Sequence, residues 1–232
     1  MEKIHALGIK YGFKIIEDAS HSIGSKYNNT NVGSCTYSDI AVFSFHPVKI
    51  ITTGEGGMIL TKNESLAEKV KLIRTNGITK NEEKFQNKND GPWYDEQQTI
   101  GYNYRMNDIQ AALGCSQLRR LEKNIKLRHK IANRYDEELK DLPLQTPICI
   151  ENCYSSYHLY IIQISINEIK KTHREIFEYL RQEGIGVNLH YIPIYKHPYY
   201  QKNGFENYKL ENSENYYSKA ISLPIYPMLS NE

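Results

Sequence analysis

Ser44-Phe45-His46-Pro47-Val48-Lys49, followed shortly by Gly54-Glu55-Gly56-Gly57, carries the strongest structural signal in this chain of 232 residues. The apolar run at residues 40–45 predicts a buried strand, and the lysine comes just after it. A serine precedes the lysine by five positions, and the glycines predict a tight turn. This arrangement suits a lysine at the bottom of a cleft, where burial favours a neutral amine that can condense with an aldehyde.

A second segment, Glu17-Asp18-Ala19-Ser20-His21, also follows an apolar run, at residues 13–16. In α/β sheets, ligands bind beyond the carboxyl ends of the strands, where both segments are expected to lie. A lysine and a carboxylate at that edge are two groups that pyridoxal phosphate (PLP) chemistry needs. Taken singly, such a lysine is more often a surface residue and such an aspartate a helix cap. Their joint occurrence favours Lys49 as the aldehyde-binding lysine and Asp18 as the partner of the pyridine nitrogen.

Composition excludes several other classes of protein. The net charge of +2 gives no electrostatic footprint for nucleic acid. No apolar run approaches the ~20 residues of a membrane helix, and the first residues lack the pattern of a secretory signal. The four cysteines, Cys35, Cys115, Cys149 and Cys153, show no metal-ligand spacing. We therefore expect reduced thiols in a cytoplasmic protein.

The order of predicted elements indicates an α/β fold with some parallel strands. Helices are predicted at residues 2–11 (stopped by Gly12), 64–74 (capped by Asn63 and stopped by Gly77), 107–141 as one or two helices, and 173–183. Strands are predicted at residues 13–16, 40–45, 58–61, 157–164 and 187–194, with a further strand signal at residues 223–226. The polar stretch 79–98 is predicted to be a long loop.

The first predicted strand already carries the candidate carboxylate, so we expect this chain to be the later part of a larger protein. Residues 1–128 are expected to be the C-terminal part of a large PLP-binding domain whose earlier strands are absent. Residues 129–232 are expected to form a small α+β domain, slightly truncated. An isolated chain of this kind should expose strand edges and apolar helix faces.

Four segments in order resemble successive blocks of the DegT/DnrJ/EryC1/StrS sugar aminotransferases: EDASHSIGSKYNNTNVGS, SDIAVFSFHPVKIITTGEGGMILT, QTIGYNYRMNDIQAALGCSQL and EGIGVNLHYIPIYKHPYY. The resemblance implies a fold-type I PLP-dependent transferase. It also implies transfer of an amino group from glutamate or a similar donor to a UDP-linked 4-keto-deoxy sugar, for pseudaminic-acid-type or other cell-surface glycans. Within the family, the chain is most similar to the branch that acts on altrosamine-type sugars.

The same resemblance implies roles for single residues. Lys49 matches the Schiff-base lysine, Asp18 the carboxylate at the pyridine nitrogen and Ser44 a phosphate-binding serine. His21 stands beside the phenolic oxygen, where many members have glutamine and the altrosamine branch has histidine; without the resemblance, a packed core histidine is the better interpretation. Asn103 matches an asparagine that reaches the phosphate of the neighbouring subunit, which implies a homodimer with shared sites.

Three further residues are candidates on the substrate side. Arg105 matches a position that could bind a diphosphate or the donor carboxylate, although an arginine before a helix is as often a salt-bridge residue. His190 and Tyr191 match a family stretch near the sugar pocket, and a plain strand end explains them equally well. The glycines at 54, 56 and 57 are expected to be structural.

Three alternatives to an aminotransferase stay open. A PLP sugar dehydratase of the same fold would replace the lysine with histidine or carry clustered cysteines, and Lys49 argues against it. A non-catalytic remnant is the second alternative, because the family's phosphate-binding turn lies upstream of residue 1. A nucleotide-binding module with unrelated chemistry is the third, and Gly54-Glu55-Gly56-Gly57 fits neither common phosphate-loop pattern.

Overall fold

The structure, a computed structural model, describes residues 1–230 and divides the chain into two compact units. Unit 1 comprises Met1–Glu122 with Asn152–Ser155, and unit 2 comprises Lys123–Glu151 with the chain from Ser156 onward. In chain order the elements are α1 (Glu2–Tyr11), β1 (Ile16–Asp18), β2 (Lys26–Tyr27), β3 (Thr30–Asn31), β4 (Ile40–Ser44), β5 (Gly57–Leu60), α2 (Glu64–Ile73), β6 (Ile78–Thr79), β7 (Glu96–Gln97), α3 (Asp108–Leu118), α4 (Leu121–Leu139), β8 (Leu144–Gln145), β9 (Cys153–Tyr154), β10 (Tyr160–Ile164), α5 (His173–Gln182), α6 (Pro198–Tyr200), α7 (Glu211–Tyr217) and β11 (Ala220–Leu223). The predicted domain boundary at 128/129 falls inside α4 and stays a prediction.

The sheet that positions the candidate site has the order β1-β4-β5. β1 runs parallel to β4, with Asp18 opposite Val42, and β5 pairs antiparallel with β4. Ala41 and Phe43 of β4 are buried, as alternation on a half-buried strand requires. The parallel pairing that the sequence predicted is therefore present. It brings the carboxyl ends of β1 and β4 to the same edge of the sheet.

The predicted start of the first strand was wrong. Strand pairing begins at Ile16, so Asp18 is the last residue of β1 rather than a residue beyond it. The chain first has to turn after α1, where Gly12 adopts a left-handed φ of 72°. The Ile15 carbonyl then accepts bonds from the amides of Asp39 and Ile40, which fixes the register of β1 against β4. The consequence is that Asp18 is held by the sheet itself.

Residues close to the helix ends set the boundaries of α2 and α3. The Asn63 side chain accepts a hydrogen bond from the Leu66 amide and caps α2, as predicted. The turn after α2 contains Gly77 with a φ of 72°, and a Cβ there would overlap the Thr99 carbonyl oxygen. The predicted helical region 107–141 contains two helices, α3 and α4. A capping box of Asn107 and Gln110 forms the N-terminus of α3.

Unit 2 packs α4 and α5 with a sheet of order β11-β10-β8. Its core includes Tyr160, Val187 and Ile221, all fully buried. The predicted strand at 187–194 is wrong: only an isolated bridge joins Asn188 to Ser222, and residues 194–196 form a 3-10 turn. Pro193, which has no amide hydrogen, ends any ladder there. The strand signal at 223–226 is misplaced, because β11 is Ala220–Leu223 and shares only Leu223 with it.

The polar stretch 79–98 is folded mainly as a loop, with a 3-10 turn at Glu82–Lys84 and the short strands β6 and β7 pairing at its two ends. No helix within residues 1–230 is long and apolar enough to cross a membrane.

Candidate active site at the carboxyl edge of β1 and β4

A closed loop between β4 and β5 carries Lys49. The Phe45 amide donates to the Gly56 carbonyl over 2.8 Å, and the Thr53 amide donates to the Phe45 carbonyl over 3.0 Å, so the loop is fastened at its base. The Lys49 amide donates to the His46 carbonyl over 2.9 Å, which places the lysine on a tight turn. The loop is therefore fixed by backbone bonds on both sides of the lysine.

The Lys49 side chain is half-buried, and the next two residues, Ile50 and Ile51, are buried in the apolar cluster of unit 1. Burial lowers the pKa of the Lys49 amine, and the negative charge of Asp18 opposes this by raising it. The net direction is downward. The site thus favours a neutral amine more than water does.

Asp18 is exposed in the structure and is held by one neighbour. The Ser20 hydroxyl donates to Asp18 Oδ1 over 2.5 Å, and the Ser20 amide donates to the same oxygen over 3.0 Å. The Ser20 hydroxyl, then the Ser20 amide, and then the charges of His21 and Lys49 lower the pKa of the Asp18 carboxyl, which its slight burial opposes. These effects keep the carboxylate in its charged form.

Ser44 is the last residue of β4, and its hydroxyl accepts a bond of 3.4 Å from the His46 amide. It stands opposite Gly57 in the sheet register. A Cβ on Gly57 would lie 2.7 Å from the Phe43 carbonyl, and one on Gly56 would overlap the Thr53 hydroxyl. The glycines therefore permit a close approach of two backbones at this edge, beside the hydroxyl of Ser44.

Asn103 and Arg105 lie together elsewhere in unit 1. The Arg105 Nε and Nη2 atoms donate to Asn103 Oδ1 over 3.4 and 3.3 Å, and both side chains are exposed. Asn103 forms an isolated bridge with Thr75, just beyond α2. No hydrogen bond or ion pair joins either side chain to Lys49 within the part of the chain that the structure describes.

His190 and Tyr191 belong to unit 2. The His190 Nδ1 atom lies 2.6 Å from the Ser222 hydroxyl of β11. The rings of His190 and Tyr191 are arranged edge to face, with their centroids 4.6 Å apart. The Tyr191 side chain is largely exposed. His190 is thus tied to the sheet, whereas Tyr191 presents its ring to solvent.

The structure brings His21 and Lys49 within electrostatic reach of Asp18 and places Ser44 at the same sheet edge. Sequence reasoning missed Ser20, although the Asp-x-Ser spacing is typical of an aspartate that bonds to the backbone two residues on. It also missed the buried Thr53, whose hydroxyl donates to the Glu55 carbonyl over 2.8 Å and shapes the end of the lysine loop. No sequence pattern signals that contact.

Comparison with known proteins gives a consistent result. The model of the DegT/DnrJ/EryC1/StrS aminotransferase family matches residues 1–232. The chain is 40% identical over 227 residues to the UDP-4-amino-4,6-dideoxy-N-acetyl-beta-L-altrosamine transaminase of Campylobacter jejuni, covering 97% of this chain and 57% of the relative. It is 37% identical over 235 residues to the spore coat polysaccharide biosynthesis protein SpsC of Bacillus subtilis, covering 100% of this chain and 60% of the relative.

Among solved structures, Helicobacter pylori PseC, an aminotransferase of pseudoaminic acid biosynthesis, superposes with a TM-score of 0.86 at 35% identity. The match covers 99% of this chain and 59% of PseC. The chain thus spans under two thirds of the length of these relatives. The chain has the fold of this solved aminotransferase, which confirms the predicted fold-type I class.

Proposed function

Since the chain belongs to the DegT/DnrJ/EryC1/StrS aminotransferase family, we propose that it serves PLP-dependent transfer of an amino group from glutamate or a similar donor to a UDP-linked 4-keto-deoxy sugar. The names of the C. jejuni transaminase and of PseC support a UDP-sugar substrate and pseudaminic-acid-type glycans. The observation that carries the proposal is the electrostatic pairing of a half-buried Lys49 with a charged Asp18 at one sheet edge.

The residues at this edge fit PLP. Asp18 is kept charged by Ser20, as a partner for a protonated pyridine nitrogen has to be. Lys49 has an amine whose pKa burial lowers, as an aldehyde-binding lysine requires. When bound, PLP supplies an electron sink that stabilises negative charge on the substrate carbon next to the nitrogen. The Ser44 hydroxyl accepts from the His46 amide and has its own proton to donate to the phosphate.

Lys49 acts as the proton carrier in this scheme. Its Nζ atom, once neutral, takes the proton from the substrate carbon and delivers it on the other side of the nitrogen that is transferred. The closed loop holds the amine in place, because bonds at Phe45 and Thr53 fasten its base. The charge of Asp18 favours the protonated amine of Lys49 and burial favours the neutral amine, with a net lowering of the lysine pKa.

The remaining candidates take the roles that the family pattern gives them. His21 would contact the phenolic oxygen of PLP, and Asn103 would contact the phosphate held by the neighbouring subunit in a homodimer with shared sites. Arg105, His190 and Tyr191 contact the nucleotide sugar or the donor. None of the four cysteines forms a disulfide within residues 1–230, which supports a cytoplasmic enzyme.

The test is covalent labelling of the full chain. We expect incubation with PLP followed by borohydride reduction to place a stable pyridoxyl group on Lys49 alone, located by peptide mapping. Lys49→Arg should abolish this label, whereas Lys62→Arg, an exposed lysine in the same unit, should leave it unchanged. Label spread over many lysines, or no label, would contradict the proposal and favour a non-catalytic chain.

A further inference from the structure

The two oxygens of the Asp18 carboxylate are in different environments. Both donors of Ser20, its hydroxyl and its amide, bond to Oδ1, at 2.5 and 3.0 Å. Oδ2 receives no hydrogen bond from any residue within 1–230. A carboxylate oxygen has two lone pairs, so Ser20 saturates one oxygen and leaves the other open. The carboxylate is thereby fixed in one orientation with a free acceptor.

The two bonds from Ser20 depend on sequence in different ways. The amide bond is available to any residue except proline, and aspartate commonly bonds to the backbone two positions on. The hydroxyl bond requires serine or threonine. Its length of 2.5 Å is at the short end of charge-assisted O–H···O⁻ bonds, which are about twice as strong as neutral ones. The hydroxyl therefore adds an interaction that the backbone alone does not supply.

We propose that Ser20 is a positioning residue: its hydroxyl holds the Asp18 carboxylate charged and oriented, with Oδ2 free for the protonated ring nitrogen of bound PLP. This inference rests on the proposed function. It assigns the tuning of Asp18 to a residue that does not itself touch the cofactor.

The electrostatic surroundings of Asp18 agree with this role. The charged groups that act on it are His21, on its own turn, and Lys49, on the loop between β4 and β5. The Ser20 hydroxyl lowers the pKa of Asp18 more than either charge does. Removing the hydroxyl while keeping both charges should therefore raise the pKa of the Asp18 carboxyl.

The test compares Ser20→Ala, Ser20→Thr and Ser22→Ala in the full chain. Ser22 lies in the same turn, and its hydroxyl makes no hydrogen bond within the described residues, so it is a matched control. Titration of ¹³C-labelled aspartate carboxyls by NMR, without cofactor, should show a higher pKa of Asp18 in Ser20→Ala. Ser20→Thr should restore it, and Ser22→Ala should leave it unchanged. An unchanged Asp18 in Ser20→Ala would overturn the proposal.

A second measurement connects the tuning to the cofactor. PLP affinity, followed by absorbance, should fall by about threefold to tenfold in Ser20→Ala, as expected for loss of one hydrogen bond. Equal affinities and spectra in Ser20→Ala and the unsubstituted chain would also overturn the proposal. If the unsubstituted chain binds no PLP, the proposed function fails, and the carboxyl titration alone decides whether Ser20 tunes Asp18.

Discussion

At Lys49, two physical effects oppose each other, and their balance sets the fraction of neutral amine. Burial lowers the pKa because a charged ammonium loses hydration, while the carboxylate of Asp18 raises it by attraction. Burial is the larger effect. Asp18 therefore has two effects at this site. Its negative charge would pair with the protonated pyridine nitrogen of PLP, and it limits how far the pKa of Lys49 falls.

Replacing Asp18 with asparagine tests this balance. In Asp18→Asn the attraction disappears and burial remains, so the pKa of Lys49 should fall further. The pH profile of Lys49 reductive methylation, followed by mass spectrometry, should then move to lower pH, because the neutral amine reacts. Asp39→Asn is the matched control, since Asp39 bonds Lys14 and the Ile15 amide in the same unit. A profile that stays in place or moves to higher pH would contradict the assignment of the pair.

At the scale of elements, one carboxylate organises the loop between β6 and β7. Glu96 is buried and accepts bonds from the amides of Gln86 and Asn87 at 3.0 Å, and from the side chains of Tyr94 and Gln98 at 3.3 Å. The Gln86 amide first, then the Asn87 amide, lowers the pKa of Glu96. The stabilisation is therefore present above the ordinary glutamate pKa and is lost as the pH falls through the lowered value.

Glu96→Gln should loosen this loop at neutral pH, because a neutral amide is a weaker acceptor and offers one oxygen instead of two. Trypsin cleavage at the exposed Lys88 should become severalfold faster. Asp95→Asn removes a neighbouring charge from an exposed side chain and should leave the rate unchanged. Lowering the pH should loosen the unsubstituted loop in the same direction as the substitution. Equal cleavage rates in the two variants would rule out the role of Glu96.

Local chemistry explains which elements could be predicted from the sequence. Asn63 and Gly12 bound their helices because a capping side chain and a left-handed glycine act within a few residues. The strand predicted at 187–194 failed because an apolar run does not specify a pairing partner. Val187 is buried, Ile194 is 62% exposed, and a single bridge joins Asn188 to Ser222 of β11, which is distant in sequence. Ser20 was missed because a serine hydroxyl has many possible partners, and only the structure shows that this one donates to Asp18 Oδ1.

At the scale of the whole molecule, each unit has a buried apolar core and also leaves aliphatic side chains exposed. Unit 1 leaves Ile9, Ile16, Ile100 and Ile109 between 68% and 89% exposed, and Ile16 belongs to β1, at the edge of its sheet. Such exposed aliphatic side chains mark surfaces suited to protein contacts. Unit 2 likewise leaves Ile148 and Met228 exposed, at 77% and 85%, and has a buried core around Tyr160 and Ile162. Substitution of a buried residue in unit 2 therefore tests the packing of that core.

Arg128 of α4 is the best probe of unit 2. Its side chain is 5% exposed, and its Nη1 atom donates to the carbonyls of Tyr157 and Ile225 at 2.9 and 2.8 Å. These bonds join a helix to the segments flanking β10 and β11. Burial lowers the pKa of the guanidinium. Truncation of this side chain removes the donor that both carbonyls share.

Arg128→Ala should lower the free energy of unfolding of unit 2 by about 2–4 kcal/mol, the cost of losing charged hydrogen bonds and the packing of a buried side chain. Arg134→Ala on the same helix is the control: it removes an exposed pair with Glu138, worth at most about 1 kcal/mol. Urea unfolding followed by circular dichroism measures both. Equal losses in the two variants would show that the buried guanidinium contributes no more than a surface ion pair, and that apolar packing alone joins α4 to the sheet.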